Sequence, residues 1–280
     1  ETSFANAAQI SVSYCEPWAN REAPLKALKW MFDKEAPLLF RPQLDWDQWR
    51  WGLKFLAQCN DVAFERNVQQ IVALGAYSHA ALKDLVASTG IEYNRLERGI
   101  AHFYTDQKSF DAAGHAVELM RKFGVQRRLV SRDELLKIEP AFKAYGDKIT
   151  GGTYTSTDES GDARVFTQEL ARRCAARGAQ FLYGHDVLRL NKIGDAIDSV
   201  AVIARNTGAG GQKDFILKAD AFVVACGSYS APLLRTVGVD LPIYPGKGYS
   251  ATFPLLRPEG APMVSTIDDG KKIAMSRLGN

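Results

Sequence analysis

The stretch AFVVACG, residues 221–227, limits the folds open to this chain more than any other feature of the sequence. It is a continuously apolar run that ends at a glycine, which is typical of a parallel strand buried on both faces. The residues after it, SYSAPLLRTVG, predict the start of a helix. A strand, a glycine turn and a helix in this order direct backbone N–H groups toward a phosphate. The sequence therefore predicts an α/β fold.

Three helices are predicted together with one or both of their ends. Apolar residues recur at helix-face spacing from Asp61 to Ser88, and Gly90 supplies a C-terminal stop. Two further helices begin at the capping residues Ser131 and Asp162.

Short strands are predicted in the second half of the chain. Alternating or apolar runs from residue 179 to 219, divided by glycine and aspartate, predict a β-meander. The stretches GIAHFYT and ITGGTYT predict two more strands. The glycine-rich stretch NTGAGGQ, residues 206–212, lies between two hairpin strands, so we interpret it as a flexible turn without a nucleotide.

Bulk properties exclude several classes of function. The net charge is +3 and no run of Lys or Arg exceeds two residues, so nucleic acid is not an expected partner. The four cysteines are scattered without a CxxC, which predicts free thiols, no metal site and a cytoplasmic location. No apolar stretch is long enough to span a membrane. The segment LKALKWMFDKEAPLLF fits either a short core-packing helix, which we favour, or a helix lying on an anionic membrane surface.

Three stretches carry a resemblance to a known family: ETSFANAAQIS at the start, VVACGSYS and PIYPGKGYS. In this order they resemble segments of the FAD-dependent D-amino acid dehydrogenases of the small-subunit type, within the superfamily that includes D-amino acid oxidase and glycine oxidase. DESGDARVFTQELARRCAARGAQF is similar to the middle helix of the same family. The resemblance extends over essentially all 280 residues.

The resemblance implies FAD as the cofactor and two interleaved domains. Residues 1–20 and 145–235 would form a partial, Rossmann-like FAD-binding domain, and residues 21–144 and 236–280 a substrate domain with a mixed, mainly antiparallel sheet. The family's phosphate-binding G-x-G-x-x-G turn would lie upstream of Glu1, and its carboxylate-binding arginine beyond Asn280.

The resemblance also implies which residues contact the cofactor. They fall in the leading loop, on one strand of the meander and at the glycine turn: Ser3, Asn6, Ala7, Gln9, Val187, Cys226, Gly227 and Ser228. Each has a simpler interpretation, namely a frayed terminus, a buried strand valine or a plain strand–helix junction. At Ala8 the chain departs from the family, which usually has glycine.

The stretch PGKGYS holds the candidate catalytic residues, Tyr249 and Lys247. Tyr249 would shape the substrate cavity, and an amine at Lys247 would alter the electrostatics of the flavin. The simpler interpretation of Lys247 is a solvated strand edge. The acidic pair Asp158 and Glu159 is interpreted as part of a solvated turn. His79, His102 and His115 are interpreted as structural or solvent-facing.

The implied reaction is hydride transfer from the Cα–H of a D-amino acid, such as D-alanine, to flavin N5. The imino acid is hydrolysed to a 2-oxo acid and ammonia, and electrons pass to a respiratory acceptor, which would suit a peripheral contact with the inner membrane. One alternative is an oxygen-using oxidase of the same superfamily acting on glycine, sarcosine or a cyclic imino acid. The other is a non-catalytic fragment that holds no flavin.

Overall fold

A computed structural model describes residues 2–31, 36, 40–205 and 214–279. The chain folds into two units: unit 1 comprises Glu1–Arg41, Leu56–Arg173 and Gly248–Asn280, and unit 2 comprises Pro42–Phe55 and Cys174–Lys247. These bounds differ from those of the two predicted domains, so the functional division stays a prediction. The predicted turn at 206–212 lies outside the described residues.

Three sheets are present in the described part of the chain. In chain order the strands are β1 (Gln9–Ile10), β2 (Ile100–Tyr104), β3 (Arg128–Ser131), β4 (Gly151–Thr155), β5 (Glu159–Ser160), β6 (His185–Ile193), β7 (Ala196–Ala204), β8 (Phe215–Lys218), β9 (Ser265–Asp268) and β10 (Ile273–Met275). The largest sheet, in unit 1, has the order β10–β9–β2–β4–β3, with β2 parallel to β9 and every other neighbouring pair antiparallel. The predicted α/β fold with a mixed, mainly antiparallel sheet is confirmed.

The described part of the chain contains seven α-helices, and hydrogen bonds or backbone conformation fix the predicted ends of three of them. They are α1 (Ala23–Trp30), α2 (Trp46–Ala57), α3 (Asp61–Thr89), α4 (Gln107–Lys122), α5 (Arg132–Ile138), α6 (Ala163–Ala176) and α7 (Ser230–Arg235). The side chain of Ser131 accepts the Glu134 N–H at 3.2 Å, and Asp162 Oδ1 accepts the Arg164 N–H at 2.9 Å. Gly90 ends α3 with a φ of 63°. The predicted caps and stop are confirmed.

The two faces of strand β2 have different surroundings. Ala101 and Phe103 belong to an apolar cluster, in which the Phe103 ring lies 5.1 Å from that of Phe142. Because side chains alternate along a strand, His102 lies on the opposite face, where the Tyr14 ring is 4.8 Å from its own. Unit 1 therefore has one apolar sheet face and one polar face.

Unit 2 is built around the predicted β-meander, which is confirmed as the antiparallel sheet β6–β7–β8. Helix α7 packs against β6, and the Oγ1 of Thr236 accepts the Leu190 N–H at 3.2 Å. Ion pairs join α2 to the segment after α7, with Arg50 2.6 Å and Lys54 3.1 Å from Asp240.

Three predicted strands are wrong. Strand structure is absent from the apolar run at 221–227 and from the stretch AQFLYG at 179–184. It is also absent from PGKGYS at 245–250, where the interpretation of Lys247 as an edge residue required a strand. Val223, within the run expected to be buried, is 91% exposed. A buried strand needs hydrogen-bonded neighbours, and the described strands offer none beside these segments.

Helix α1 also differs from its favoured interpretation as a core-packing helix. None of its residues is buried, and Leu25 and Leu28 are 75% and 54% exposed. Lys26 pairs with Glu22, the residue before the helix, with its Nζ 2.7 Å from the carboxylate. The helix therefore presents apolar and basic side chains together at a surface.

Candidate functional site

The leading loop, residues 2–8, is closed by the side chain of Asn6. Its Nδ2 donates to the carbonyls of Thr2 at 2.9 Å and Ser3 at 2.7 Å, and its Oδ1 accepts the Ala8 N–H at 2.7 Å. Ala8 is buried and has a φ of 54°, a conformation that favours glycine. Glycine adopts this left-handed conformation without strain, whereas alanine costs about 1–2 kcal/mol there.

The same loop is fixed to the large sheet at its β9–β10 edge. Gln9 Nε2 donates to Ser265 Oγ at 2.8 Å, and Ser276 Oγ donates to the Ala7 carbonyl at 2.6 Å. Strand β1 pairs with β5, and the Gly161 N–H donates to the Ala8 carbonyl at 2.9 Å. The exposed backbone of the loop is thereby held in one conformation.

Five predicted site residues lie in unit 2. Gly227 has a φ of 56° and opens a short 3₁₀ helix directly before α7, and a Cβ added there would meet nothing within 4 Å. Cys226 has an exposed free thiol, and its backbone N–H donates to Ser230 Oγ at 3.1 Å. Ser228 is half-buried. Val187, on β6, is 46% exposed, so a core role does not account for it. Lys247 is the last residue of the unit.

The predicted site residues divide between the two units. Unit 1 contains Tyr249 and the loop residues Ser3, Asn6, Ala7 and Gln9, and unit 2 contains the other five. Tyr249 is 89% exposed and lies outside regular secondary structure. Each unit therefore carries one half of the predicted cofactor site, and the roles of these ten residues remain predictions.

Two carboxylates interpreted as solvated are in fact buried. Asp158 accepts hydrogen bonds from Ser11 and Ser13, and burial raises the pKa of its carboxyl. Glu159 is 2% exposed, with His79 Nε2 at 2.5 Å and Lys83 Nζ at 3.2 Å. Their positions beside the β1–β5 pair account for the burial, which the run of charged letters alone could not reveal.

Sequence reasoning also missed a buried arginine on the polar face of the sheet. Arg127 is 3% exposed and donates to Thr153 Oγ1 at 3.0 Å, Tyr104 OH at 3.2 Å and Glu16 Oε1 at 2.8 Å. Arg128 follows directly, and the sequence alone does not distinguish the buried Arg127 from the exposed Arg128.

His102 lies on the same polar face and is 1% exposed. Neither of its ring nitrogens has a hydrogen-bond partner in the described part of the chain, and Asp269 Oδ1 is 3.7 Å from Nδ1. Burial lowers the pKa of His102 to about 4, although Asp269 opposes the shift. The imidazole is therefore neutral at pH 7.

We expect His102 to make unit 1 sensitive to acid. Its pKa in the folded chain lies below the unfolded value, so the unfolded chain takes up the proton first. The contribution to stability is complete above about pH 6.5 and falls by roughly 2–3 kcal/mol as the pH approaches 4.5. Urea unfolding at pH 7 and pH 4.5 measures this loss.

His102→Gln cannot titrate and should reduce the loss by that amount, whereas His115→Gln, at an exposed site on α4, should not. An unchanged loss in His102→Gln would contradict the assignment.

Comparison with known proteins adds to this geometry. The family described as FAD dependent oxidoreductase matches residues 1–280. The glycine oxidase of Geobacillus kaustophilus has a similar fold, with a TM-score of 0.51 and 21% identity over 75% of this chain and 57% of that one. The chain belongs to the FAD dependent oxidoreductase family.

Relatives similar in sequence share one name. The D-amino acid dehydrogenase of Dechloromonas aromatica is 47% identical over 280 residues, and that of Granulibacter bethesdensis is 40% identical over 280 residues. In both alignments all of this chain is covered, but it spans only 66% and 65% of the relatives' own lengths. The resemblance found in the sequence is confirmed.

In each unit, taken by itself, the described residues are compatible with the cofactor of the family. In unit 1 the loop exposes the small residues Ala5 and Ala7 while Asn6 fixes its backbone. In unit 2 the open space beside Gly227 allows a ligand to approach the main chain. Across the residues that the structure describes, no cluster suits a metal ion, and no helix has the length and hydropathy to cross a membrane.

Proposed function

We propose that this chain is part of an FAD-dependent D-amino acid dehydrogenase that converts D-amino acids such as D-alanine to 2-oxo acids and ammonia. The observation that carries the proposal is the whole-chain identity of 47% and 40% to proteins of that name. The fixed loop at residues 2–8 and the open turn at Gly227 support it, because both offer main chain to a cofactor.

Bound FAD would supply the acceptor for the hydride that the substrate Cα loses. The imino acid formed is released to water, which completes the conversion to the 2-oxo acid. In this proposal the protein's contribution is to bind and orient. Ser3, Asn6, Ala7 and Gln9 would hold the cofactor from unit 1.

From unit 2, the cofactor would be held by Val187, Cys226, Gly227 and Ser228. Tyr249 would shape the substrate cavity, and Lys247 would place a positive charge near the flavin. A positive charge there would stabilise negative charge on the cofactor.

Turnover assays with two acceptors test the function. The protein produced from its complete coding sequence and loaded with FAD should form 2-oxo acid from D-alanine with an artificial dye as acceptor. Oxygen alone should support little turnover. Rapid oxygen-dependent turnover of glycine or sarcosine would favour the oxidase, and a purified protein without flavin absorbance would favour the non-catalytic alternative.

We further propose that electrons pass to a respiratory acceptor while α1 rests on the inner membrane. Its support is the exposure of Leu25 and Leu28 beside the cationic side chains of Lys26 and Lys29. Apolar area buried in the interface and attraction to anionic lipid together drive such binding.

Vesicle sedimentation tests the membrane contact. Leu25→Glu/Leu28→Glu should reduce binding to vesicles containing phosphatidylglycerol by about 10-fold or more. The variant lacks the two leucines that would insert into the lipid interface, and it gains two anionic groups that the anionic lipid repels. Binding should also weaken with salt. A matched control, Leu74→Glu/Tyr77→Glu, places the same charges on an exposed face of α3. Equal losses in both variants, or no binding by the unchanged protein, would refute the contact.

A further inference from the structure

The carboxylate of Asp158 lies beside the segment that continues the leading loop, and it is 1% exposed. Its Oδ2 accepts hydrogen bonds from the hydroxyls of Ser11, at 3.1 Å, and of Ser13, and its Oδ1 accepts the Ser13 N–H at 3.4 Å. In the described part of the chain, all of its hydrogen-bond donors therefore belong to residues 11–13. Because a buried charge is costly unless hydrogen bonds satisfy it, the carboxylate and this segment depend on each other.

The backbone pairing of the same segment is short. Strand β1 pairs with β5 through two residues of each strand, and the Ala8 carbonyl accepts the Gly161 N–H at 2.9 Å. So short a pairing is marginal by itself. The hydrogen bonds to Asp158 extend the contact, so that residues 158–161 hold the chain from Ala8 to Ser13.

Ala8 has a conformation that needs such anchoring. Its φ of 54° lies in the left-handed region, where alanine is strained and glycine is not. A strained conformation persists only where the surrounding contacts hold the chain in place. On the N-terminal side the Ala8 N–H donates to Asn6 Oδ1, within the loop itself. On the C-terminal side Asp158 fixes residues 11–13.

We propose that Asp158 is a positioning residue for the leading loop. By holding residues 11–13 it keeps Ala8 in the left-handed conformation and keeps the main chain of residues 2–8 in the form that meets FAD. The segment cannot move away without leaving the buried carboxylate unsatisfied, and Asp158 itself does not contact the cofactor. That the loop meets FAD rests on the proposed function, whereas the hydrogen bonds to Asp158 and the strain at Ala8 do not.

Titration of the flavin-free protein with FAD tests this role, in the protein made from its complete coding sequence. Asp158→Asn should raise the dissociation constant by about 10-fold, since the amide keeps the volume but loses the charge and one acceptor. Adding Ala8→Gly to this variant should restore the constant to within about 3-fold of the unchanged protein, because glycine adopts the left-handed conformation without strain. A general loss of stability would not be reversed by this second substitution.

Glu159→Gln is the matched control. Glu159 is the neighbouring carboxylate and is 2% exposed, but its side chain contacts His79 and Lys83 of α3 instead of residues 11–13. Glu159→Gln should lower the stability to urea, yet change the affinity for FAD by less than about 3-fold. Equal weakening of FAD binding in Glu159→Gln and Asp158→Asn, or no rescue by Ala8→Gly, overturns the inference.

Hydrogen exchange of the flavin-free protein separates this inference from the proposed function. The amides of residues 7–10 should exchange about 10-fold faster in Asp158→Asn than in the unchanged protein, and Ala8→Gly should reverse most of that change. Unchanged exchange in Asp158→Asn overturns the inference even if the protein binds FAD and oxidises D-alanine. Faster exchange that Ala8→Gly reverses supports it even if the protein binds no flavin.

Discussion

Gly227→Val is expected to raise the dissociation constant for FAD by about 100-fold or more in the protein made from its complete coding sequence. The φ of 56° at this residue disfavours a β-branched side chain, and the added carbons would occupy the open space where the cofactor is predicted to approach the main chain. The measurement is flavin retention on gel filtration, followed by titration of the flavin-free protein with FAD.

The turn at Gly238 provides a matched control. It has a φ of 82°, and a Cβ added there also meets nothing within 4 Å, but it lies after α7 and outside the predicted cofactor residues. Gly238→Val therefore imposes similar backbone strain without obstructing the ligand. Equal loss of FAD in both variants would show that strain alone is responsible, and the assignment of Gly227 to the cofactor site would be refuted.

Arg127→Met is expected to lower the free energy of unfolding by about 3 kcal/mol. The guanidinium is 3% exposed and joins Glu16 to Thr153 and Tyr104. Methionine fills much of the volume but leaves these three polar groups without their donor. Because Glu16 is partly exposed, water recovers some of the cost, and we place the effect at the low end of the range for buried pairs.

The neighbouring residue gives the comparison. Arg128 pairs with Glu134 at 2.5 Å, but both side chains are nearly half exposed. Arg128→Met should therefore change stability by about 0.5 kcal/mol or less. Urea unfolding followed by tryptophan fluorescence and by circular dichroism measures both variants. Equal losses of stability in the two variants would show that the buried contacts of Arg127 stabilise the protein no more than the exposed Arg128–Glu134 pair does.

The helices and the meander could be predicted because their causes are local. Ser131, Asp162 and Gly90 act on groups within four residues, so their effects are visible in a short window of sequence. The meander β6–β7–β8 likewise joins strands that follow one another along the chain.

The failures concern partners that are distant in sequence. The apolar run at 221–227 has the composition of a buried strand, yet strand structure depends on a neighbour that the described residues do not place beside it. Glu159 and Arg127 were not singled out as buried, because the residues that pair with them, such as His79 and Glu16, lie 80 and 111 positions away. The composition of a segment indicates which secondary structure it favours, but it does not indicate which distant residues pack against it.

For the predicted site, the family resemblance located the leading loop, and the structure explains its form. Asn6 closes the turn, and Ala8 takes the conformation that glycine would favour. The contacts that fix the loop to Ser265 and Ser276 had no signal in the sequence, because serine is equally common on free surfaces.

The anchoring of the leading loop has a consequence for biosynthesis. Its contacts to Ser265 and Ser276 span 256 and 269 positions. The residues of the leading loop leave the ribosome long before these two serines do, and at about 5–20 residues per second the delay is on the order of 10–50 seconds. During that interval the nascent segment lacks its anchors on the β9–β10 edge, so the leading loop reaches its folded form only after Ser265 and Ser276 have been synthesised.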